Sequence, residues 1–458
     1  MNSSAGAAGD PRPRPSDEEF ALSYADLGRA VTGRVLFPGD AGFAEAAAPW
    51  AVGVRQPVAA VVDAEDEADV AALVRYARAA GLTVTAQPSG HGASGDAEGV
   101  ILLRTARLDR VEVDPARRIA RVGAGARWGP VLAEAGRHGL TGLAGSSPAV
   151  SVTGFVLGGG VPWFGRRYGL AAGSVRAFDV VDASGEPVRV TAGSDPDLFW
   201  ALRGGGGDFA VVTSVELDLH PIAGLYGGRV VWPGDRAPAV FEAFREVTAV
   251  APRSLSVWVN RLRPPAPAPP LVAVDVTHLG DAGRARALLA PFDRIGGVLS
   301  DSRRPIGVAG LGAIAGEPVE PSPMLARAEL LTGLDDRALA ALGGGETAPL
   351  LNVQVRHLGG ALAEPDPVGG AGGPLAEPYL LYLLGLRLPR QAGEARARQA
   401  ALVAALGGAV AGRKPYTFLA PGEDAAQAFP AETLARLREI KKARDPQRVF
   451  RANFPVLG

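Results

Sequence analysis

Residues 87–95 read QPSGHGASG, and they put one histidine, His91, among Gly90, Gly92 and Gly95. An imidazole can act as nucleophile, base or ligand near neutral pH. Glycines permit positive φ and close approach of backbone to a bound molecule. Successive backbone N–H groups in such a turn form a nest for anions. A loop of this kind can grip a pyrophosphate and present an imidazole to whatever carries it. The bland alternative is a histidine that is solvent-exposed or locally hydrogen-bonded, so the segment needs support from the rest of the chain.

Other reactive groups are sparse. The 458 residues contain no cysteine, which excludes disulfides, thiolate metal sites and a cysteine nucleophile. The five histidines, His91, His138, His220, His278 and His357, show neither HxH nor HExxH spacing, so no metal site is expected. Neither a GxSxG elbow nor a GxxxxGK[ST] loop occurs, against hydrolase and P-loop readings. Gly123, Gly125 and Gly129 give GxGxxxG, one residue too long for a dinucleotide fingerprint, and no acid follows at the required distance. A tight strand–turn–helix corner accounts for them.

The elements that must hold these groups can be read from periodicity and punctuation. Residues 56–62 and 82–86 read as strands on either side of a helix over 63–80, with acids in its first turn and Gly81 at its stop. Residues 99–103 give another strand, and 111–113 with 118–122 a hairpin. A second hairpin spans 177–183 and 187–191, and a helix capped by Ser194 or Asp195 follows it. Beyond residue 223, strands at 228–232 and 271–277 alternate with helices at 238–249 and 280–290 and with proline- and glycine-rich loops such as 343–345 and 369–373. This texture predicts an α+β region with an antiparallel sheet. The last helix is expected over 432–444.

A net charge of −1 leaves no basic footprint for nucleic acid or an anionic membrane. No apolar stretch is long enough to span a bilayer. The N-terminus lacks the apolar core of a secretory signal and reads as a disordered tail over 1–20, so a cytoplasmic location is expected.

Six segments in order resemble the FAD-linked oxidases of the berberine bridge enzyme-like group, within the vanillyl-alcohol oxidase (PCMH-type) superfamily. They are QPSGHGASG (87–95), VGAGARWGPV (122–131), GLAGSSPAVSVTGFVLGGG (142–160), RRYGLAAGSVRAFDVVDASG (166–185), DPDLFWALRGGGGDFAVVTSVEL (195–217) and DPQRVFRANF (445–454). The resemblance is dense over about 45–222, returns at 412–458 and is architectural between. It implies an FAD-binding domain over 21–222, completed by 412–458, and a substrate-binding domain over 223–411.

It also implies roles. His91 falls on the histidine that bonds to the flavin 8α carbon. Ser89, Gly90, Gly92, Ser94, Gly145, Ser147, Gly154, Gly158, Gly159, Val212 and Asn453 fall on positions around the flavin and its pyrophosphate. Many relatives add a cysteinyl link; here Ser147 stands at that place, and a chain without cysteine cannot form it. Tyr416 matches the tyrosine that often serves as base, and Tyr382, in the alternating run YLLYLLGLRL, is the second choice. Arg356 and Arg387 could hold an anionic substrate or lower a tyrosine pKa, although arginines ordinarily stay solvated at the surface. The chain departs from the family at Gly173, Ala210 and Phe418, the last where Tyr-x-Asn is common. These departures bear on the substrate pocket rather than on flavin binding.

The expected activity is oxidation of a small alcohol, sugar or secondary metabolite by covalently bound FAD, with dioxygen as acceptor and hydrogen peroxide as product. A flavin dehydrogenase that excludes dioxygen and a non-catalytic flavin-fold binding protein are the alternatives. Oligomeric state is not legible.

Overall fold

The computed structural model describes Tyr24 and residues 26–458, so the tail expected over 1–20 lies outside the described residues. Helix Glu67–Ala80 shows how local sequence sets the first layer. Asp66 caps it by accepting from the Asp69 N–H, and Gly81 closes it in the left-handed region at φ 68°. Val70, Leu73, Val74 and Ala77 recur at helical spacing and are buried. The helix therefore begins at Glu67 rather than at residue 63, because Ala60–Asp63 is still strand.

This helix joins two strands of a four-stranded sheet, ordered Arg34–Leu36, Ala60–Asp63, Ile101–Arg104, Val84–Ala86. The first pair is antiparallel and the other two pairs are parallel. A five-stranded antiparallel sheet follows, ordered Val111–Asp114, Ile119–Gly123, Val211–Asp218, Val175–Val181, Pro187–Val190. Gly123 and Gly125 belong to the tight corner. A Cβ on them would lie 2.1 Å from the Leu108 carbonyl oxygen and 2.2 Å from that of Thr105.

The third sheet has eight strands and is antiparallel, with Leu255–Leu262, Asn352–His357 and Tyr379–Leu386 side by side near its middle. Period-two alternation divides its faces. Val257, Val259, Val353, Val355, Leu381 and Leu383 join the core formed with helices Ala237–Val250, Ala282–Asp293 and Ala392–Leu406. Trp258, Asn260, Gln354, Arg356 and Tyr382 alternate with them on the opposite face. The 343–345 run is not a plain loop, since Ala340–Gly344 forms a π turn.

The C-terminal helix Ala431–Arg444 is followed by a loop that returns to the first sheet. Val84 N–H donates to the Val449 carbonyl at 2.7 Å, and Arg451 N–H to that of Val84 at 3.0 Å. Asp208, 1% exposed, accepts from the N–H groups of Ala452 and Val456, each at 2.9 Å. The Lys441 ammonium donates to Asp445 at 2.8 Å and to the Asp208 and Phe450 carbonyls at 2.5 and 2.7 Å. Among the described residues no helix is long and apolar enough to cross a membrane, and no three His, Asp or Glu side chains are grouped to hold a metal ion.

Candidate flavin and substrate site

The His91 loop leaves strand Val84–Ala86 at its C-terminal end, where open sheets place ligands. Gly90 sits at φ 74°, and a Cβ there would lie 2.9 Å from Pro49 Cα, so protein packing alone demands glycine. Gly92 differs. Its φ is not positive, and a Cβ would meet only Asn453 Nδ2, at 4.0 Å. The space beside Gly92 is free of protein.

His91 is fixed on two sides. Its ring stacks on Trp50 at 4.1 Å and 13°, and Nδ1 lies 2.8 Å from Ser89 Oγ. Nε2 is buried and, among the described residues, has no hydrogen-bond partner. A buried polar atom without a partner is costly unless something else meets it. Burial first, and the Arg127 guanidinium second, push the His91 pKa down to about 4, so the imidazole is neutral at pH 7. A neutral imidazole with one nitrogen held and the other presented is a nucleophile in waiting.

Asn453 reaches this loop from the far end of the chain. Its Oδ1 accepts from Gln87 Nε2 at 2.7 Å, and the same amide donates to Gln56 Oε1 at 2.7 Å. Ser94 Oγ accepts from the Asp96 N–H at 3.1 Å and closes the loop's exit. Val212 is buried in strand Val211–Asp218 opposite Val180. Arg127 bridges to Ser151, which caps helix Val152–Leu157 by accepting from the Gly154 N–H at 3.2 Å. The Phe155 ring from that helix would meet a Cβ on Gly145 at 3.1 Å and one on Gly160 at 2.6 Å. A Cβ on Gly158 would lie 3.1 Å from Thr417 Cβ, and Gly159 sits at φ 90°. Ser147, 8% exposed, accepts from the Ala149 N–H at 3.3 Å.

These features fit FAD. The orphaned Nε2, the open side of Gly92 and the glycine-rich turn of 158–160 suit a flavin set beside His91. FAD, when bound, supplies a two-electron acceptor.

The two tyrosines occupy different clusters. Tyr416 packs on Phe429 and Phe454, covers Gly206, and donates its hydroxyl to the Phe454 carbonyl at 2.9 Å. Burial first, and Asp208 second, raise its pKa. Tyr382 lies on the face of the large sheet away from the helices, against the cluster of Val161, Leu362 and Leu380, edge-on to Phe418 at 5.2 Å, with the Arg356 guanidinium 5.6 Å from its ring centre. Its hydroxyl is hydrogen-bonded to no protein group among the described residues. Burial first, and Glu317 second, push its pKa up to about 12, against the opposing pull of Arg356.

Arg356 is not a solvated surface residue. It is 4% exposed, with its guanidinium 4.1 Å from the Trp258 ring centre. Trp258 stacks on Trp163 at 3.6 Å and 7°, joining the glycine-rich segment to the large sheet. Arg387 is half-buried near Gly53. Gly173, where relatives often have an acid, faces Asp366 Oδ2, 2.7 Å from where its Cβ would be. Trp50, Asp208 and Lys441 are structural participants that sequence reasoning did not single out. The only signal for Asp208 was its place in GGGGDF.

Comparison with known proteins points to the same cofactor. Residues 58–191 match the FAD binding domain family. The chain is 32% identical over 286 residues to (R)-6-hydroxynicotine oxidase of Paenarthrobacter nicotinovorans, covering 60% of each protein. It is 37% identical over 199 residues to an FAD-dependent monooxygenase of Fusarium proliferatum, covering 42% of this chain and 38% of that one. The matches thus span less than two thirds of these relatives' lengths. Among solved structures, 6-hydroxy-D-nicotine oxidase from Arthrobacter nicotinovorans superposes with a TM-score of 0.80 at 26% identity, over 93% of this chain and 98% of that one. The Physcomitrella patens BBE-like 1 protein superposes with a TM-score of 0.80 at 20% identity, over 95% and 98%, a likeness of fold. The chain thus carries an FAD binding domain over residues 58–191 and is similar in sequence to FAD-linked oxidoreductases and in fold to 6-hydroxy-D-nicotine oxidase and the BBE-like 1 protein.

Proposed function

We propose that this protein is an FAD-dependent oxidase that carries its flavin on His91 and oxidises a small organic substrate, an alcohol, a sugar or a secondary metabolite. Dioxygen is the acceptor and hydrogen peroxide the product. The observation that carries the reading is the His91 imidazole. It is neutral and stacked on Trp50, and its Nε2 is buried without a protein partner beside the open face of Gly92.

The residues divide the work. Ser89, Trp50 and the loop hold the imidazole in one orientation. Gly90, Gly92, Gly145, Gly154, Gly158 and Gly159 bring backbone close to the cofactor, with Ser94, Val212 and Asn453 along the same cleft. Ser147 replaces a thiolate, so attachment is through the histidine alone. Tyr382 is the better base of the two tyrosines, because its hydroxyl has no acceptor among the described residues whereas Tyr416 is tied to the Phe454 carbonyl. With a pKa near 12, Tyr382 is protonated at neutral pH and orients the substrate's O–H or N–H. Its ionised fraction, and with it proton abstraction, grows as pH rises.

A screen of small alcohols, sugars and aromatic metabolites with peroxide detection tests the activity. Substrate-driven bleaching of the flavin together with peroxide supports the oxidase. Bleaching without peroxide, restored only by an artificial electron acceptor, would replace it by a dehydrogenase.

A further inference from the structure

Among the described residues four arginines are buried: Arg104, Arg166, Arg203 and Arg356. A guanidinium brings five N–H donors and a permanent charge, and burial requires that they be met. In three of the four, backbone carbonyls meet them. Arg104 donates to the carbonyls of Ala46, Gln87 and Ala48 at 3.0, 3.0 and 2.8 Å. Arg166 donates to the carbonyls of Leu255, Ala251 and Leu358 and contacts His357. Arg203 donates to the carbonyls of Ala172, Gly173 and Gly369 and pairs with Asp366.

Arg356 is the exception. Its Nε donates to Gln354 Oε1 at 2.5 Å, and among the described residues neither terminal nitrogen has a hydrogen-bond partner. Glu317 stands 3.9 Å away with its side chain 28% exposed, too far for a hydrogen bond. Asp275 on the same sheet is already taken. Arg229 holds both its oxygens, at 2.5 and 2.8 Å, and Asn260 Nδ2 donates to it at 2.9 Å. Asn260 Oδ1 accepts from Gln354 Nε2 at 2.7 Å. The chain Arg229–Asp275–Asn260–Gln354 therefore fixes one edge of the Arg356 guanidinium and leaves the fork of its terminal nitrogens unused. Around that fork stand the rings of Trp258, Tyr382 and Phe418, at 4.1, 5.6 and 5.5 Å from the guanidinium carbon. Phe418 follows Thr417, which packs on Gly158 of the glycine-rich turn.

We propose that Arg356 is the substrate's docking point, its free fork receiving a carboxylate of a flat, conjugated or aromatic acid. A planar guanidinium matches a carboxylate through two parallel N–H···O bonds, and the surrounding rings suit a planar body. This rests on the oxidase reading for the reaction that follows, not for the binding itself. Glu317, the nearest carboxylate, screens the cation in the absence of substrate and competes with an incoming anion.

The test is a calorimetric titration of the purified protein with benzoate, and with benzamide as its neutral counterpart. Flavin content is read separately from absorbance near 450 nm. We expect benzoate to bind and benzamide to bind at least tenfold more weakly. Arg356→Met weakens benzoate about 10- to 100-fold, the usual worth of a charge-assisted pair. Arg356→Lys recovers part of this loss, and Glu317→Gln strengthens binding. Equal binding of benzoate and benzamide to the unmutated protein, or benzoate binding unchanged in Arg356→Met, overturns the proposal even where flavin is present. Arg356-dependent benzoate binding by protein that never takes up flavin supports the anion site while ending the oxidase reading.

Discussion

The two walls of the proposed site are made of different material. The histidine wall is mostly backbone: a glycine loop, a capped helix and a glycine-rich turn, held by a C-terminal loop that Asp208 and Lys441 clamp. The opposite wall is side chains on a sheet: Trp258, Asn260, Gln354, Arg356 and Tyr382, contributed by three strands. Backbone geometry fits one invariant ligand, whereas side chains on regular strands can be exchanged without disturbing the sheet. The contrast teaches where this protein is fixed and where it is adaptable, and it can be broken from either wall.

The largest effect is expected where the histidine wall is fastened. Asp208→Ala removes the acceptor of two buried N–H groups and a charge beside the Lys441 ammonium. It should cost about 3 to 5 kcal/mol in chemical denaturation, the usual result of breaking a buried pair. A loss under about 1 kcal/mol would show that the clamp is dispensable.

On the sheet wall, Tyr382→Phe should lower kcat about 10²- to 10³-fold, the range for a positioned proton acceptor. Tyr416→Phe should leave kcat within a few-fold and cost about 1 kcal/mol of stability, the worth of one hydrogen bond. The reverse ranking would return the base to Tyr416. If ionised Tyr382 is the active form, kcat/KM rises with pH and does not level off below about 12 in the free enzyme; a plateau near neutrality contradicts it.

Between pH 7 and 4, above the range where the carboxylates titrate, acid should act through buried histidines. His357 is pushed down to about 3 by burial first and Arg166 second. A folded pKa below the unfolded value near 6.5 means the unfolded chain binds the proton more readily. The stability from keeping this imidazole neutral is thus complete above about pH 6.5 and is lost as pH falls towards about 3. Thermal melts between pH 7 and 4 should show the decline, and His357→Gln should flatten it.

A finer contrast separates two neighbouring glycines. Gly90→Ala forces a left-handed alanine against Pro49 and should destabilise by about 1 to 3 kcal/mol. Gly92→Ala meets no close protein atom, so stability should hold while flavin uptake weakens. Equal losses of stability at both positions would remove the argument that Gly92 is kept open for a ligand.

The backbone wall was legible in the sequence because its determinants are contiguous. The His91 loop, the Gly81 stop and the hairpins are all written within about a dozen residues. The sheet wall was not. Asn260, Asp275 and Gln354 converge from three separate strands, and a run such as NVQVRH does not say which face turns inward. Solvation is the ordinary fate of arginine, and only the finished sheet shows Arg356 buried. Tyr416 and Tyr382 were both visible as tyrosines, but which hydroxyl is tied to a carbonyl depends on Phe454, 38 residues from Tyr416. Asp208 likewise finds its partners 244 and 248 residues later.

The central claim is that His91 carries the flavin, and acid precipitation tests it most directly. The purified protein is denatured in acid, and flavin absorbance near 450 nm is measured in pellet and supernatant, with His91→Ala alongside. The account predicts yellow colour in the wild-type pellet and none in the mutant pellet. Flavin released wholly to the supernatant by the wild type would contradict the covalent bond, and no flavin in either fraction after incubation with FAD would contradict the oxidase itself.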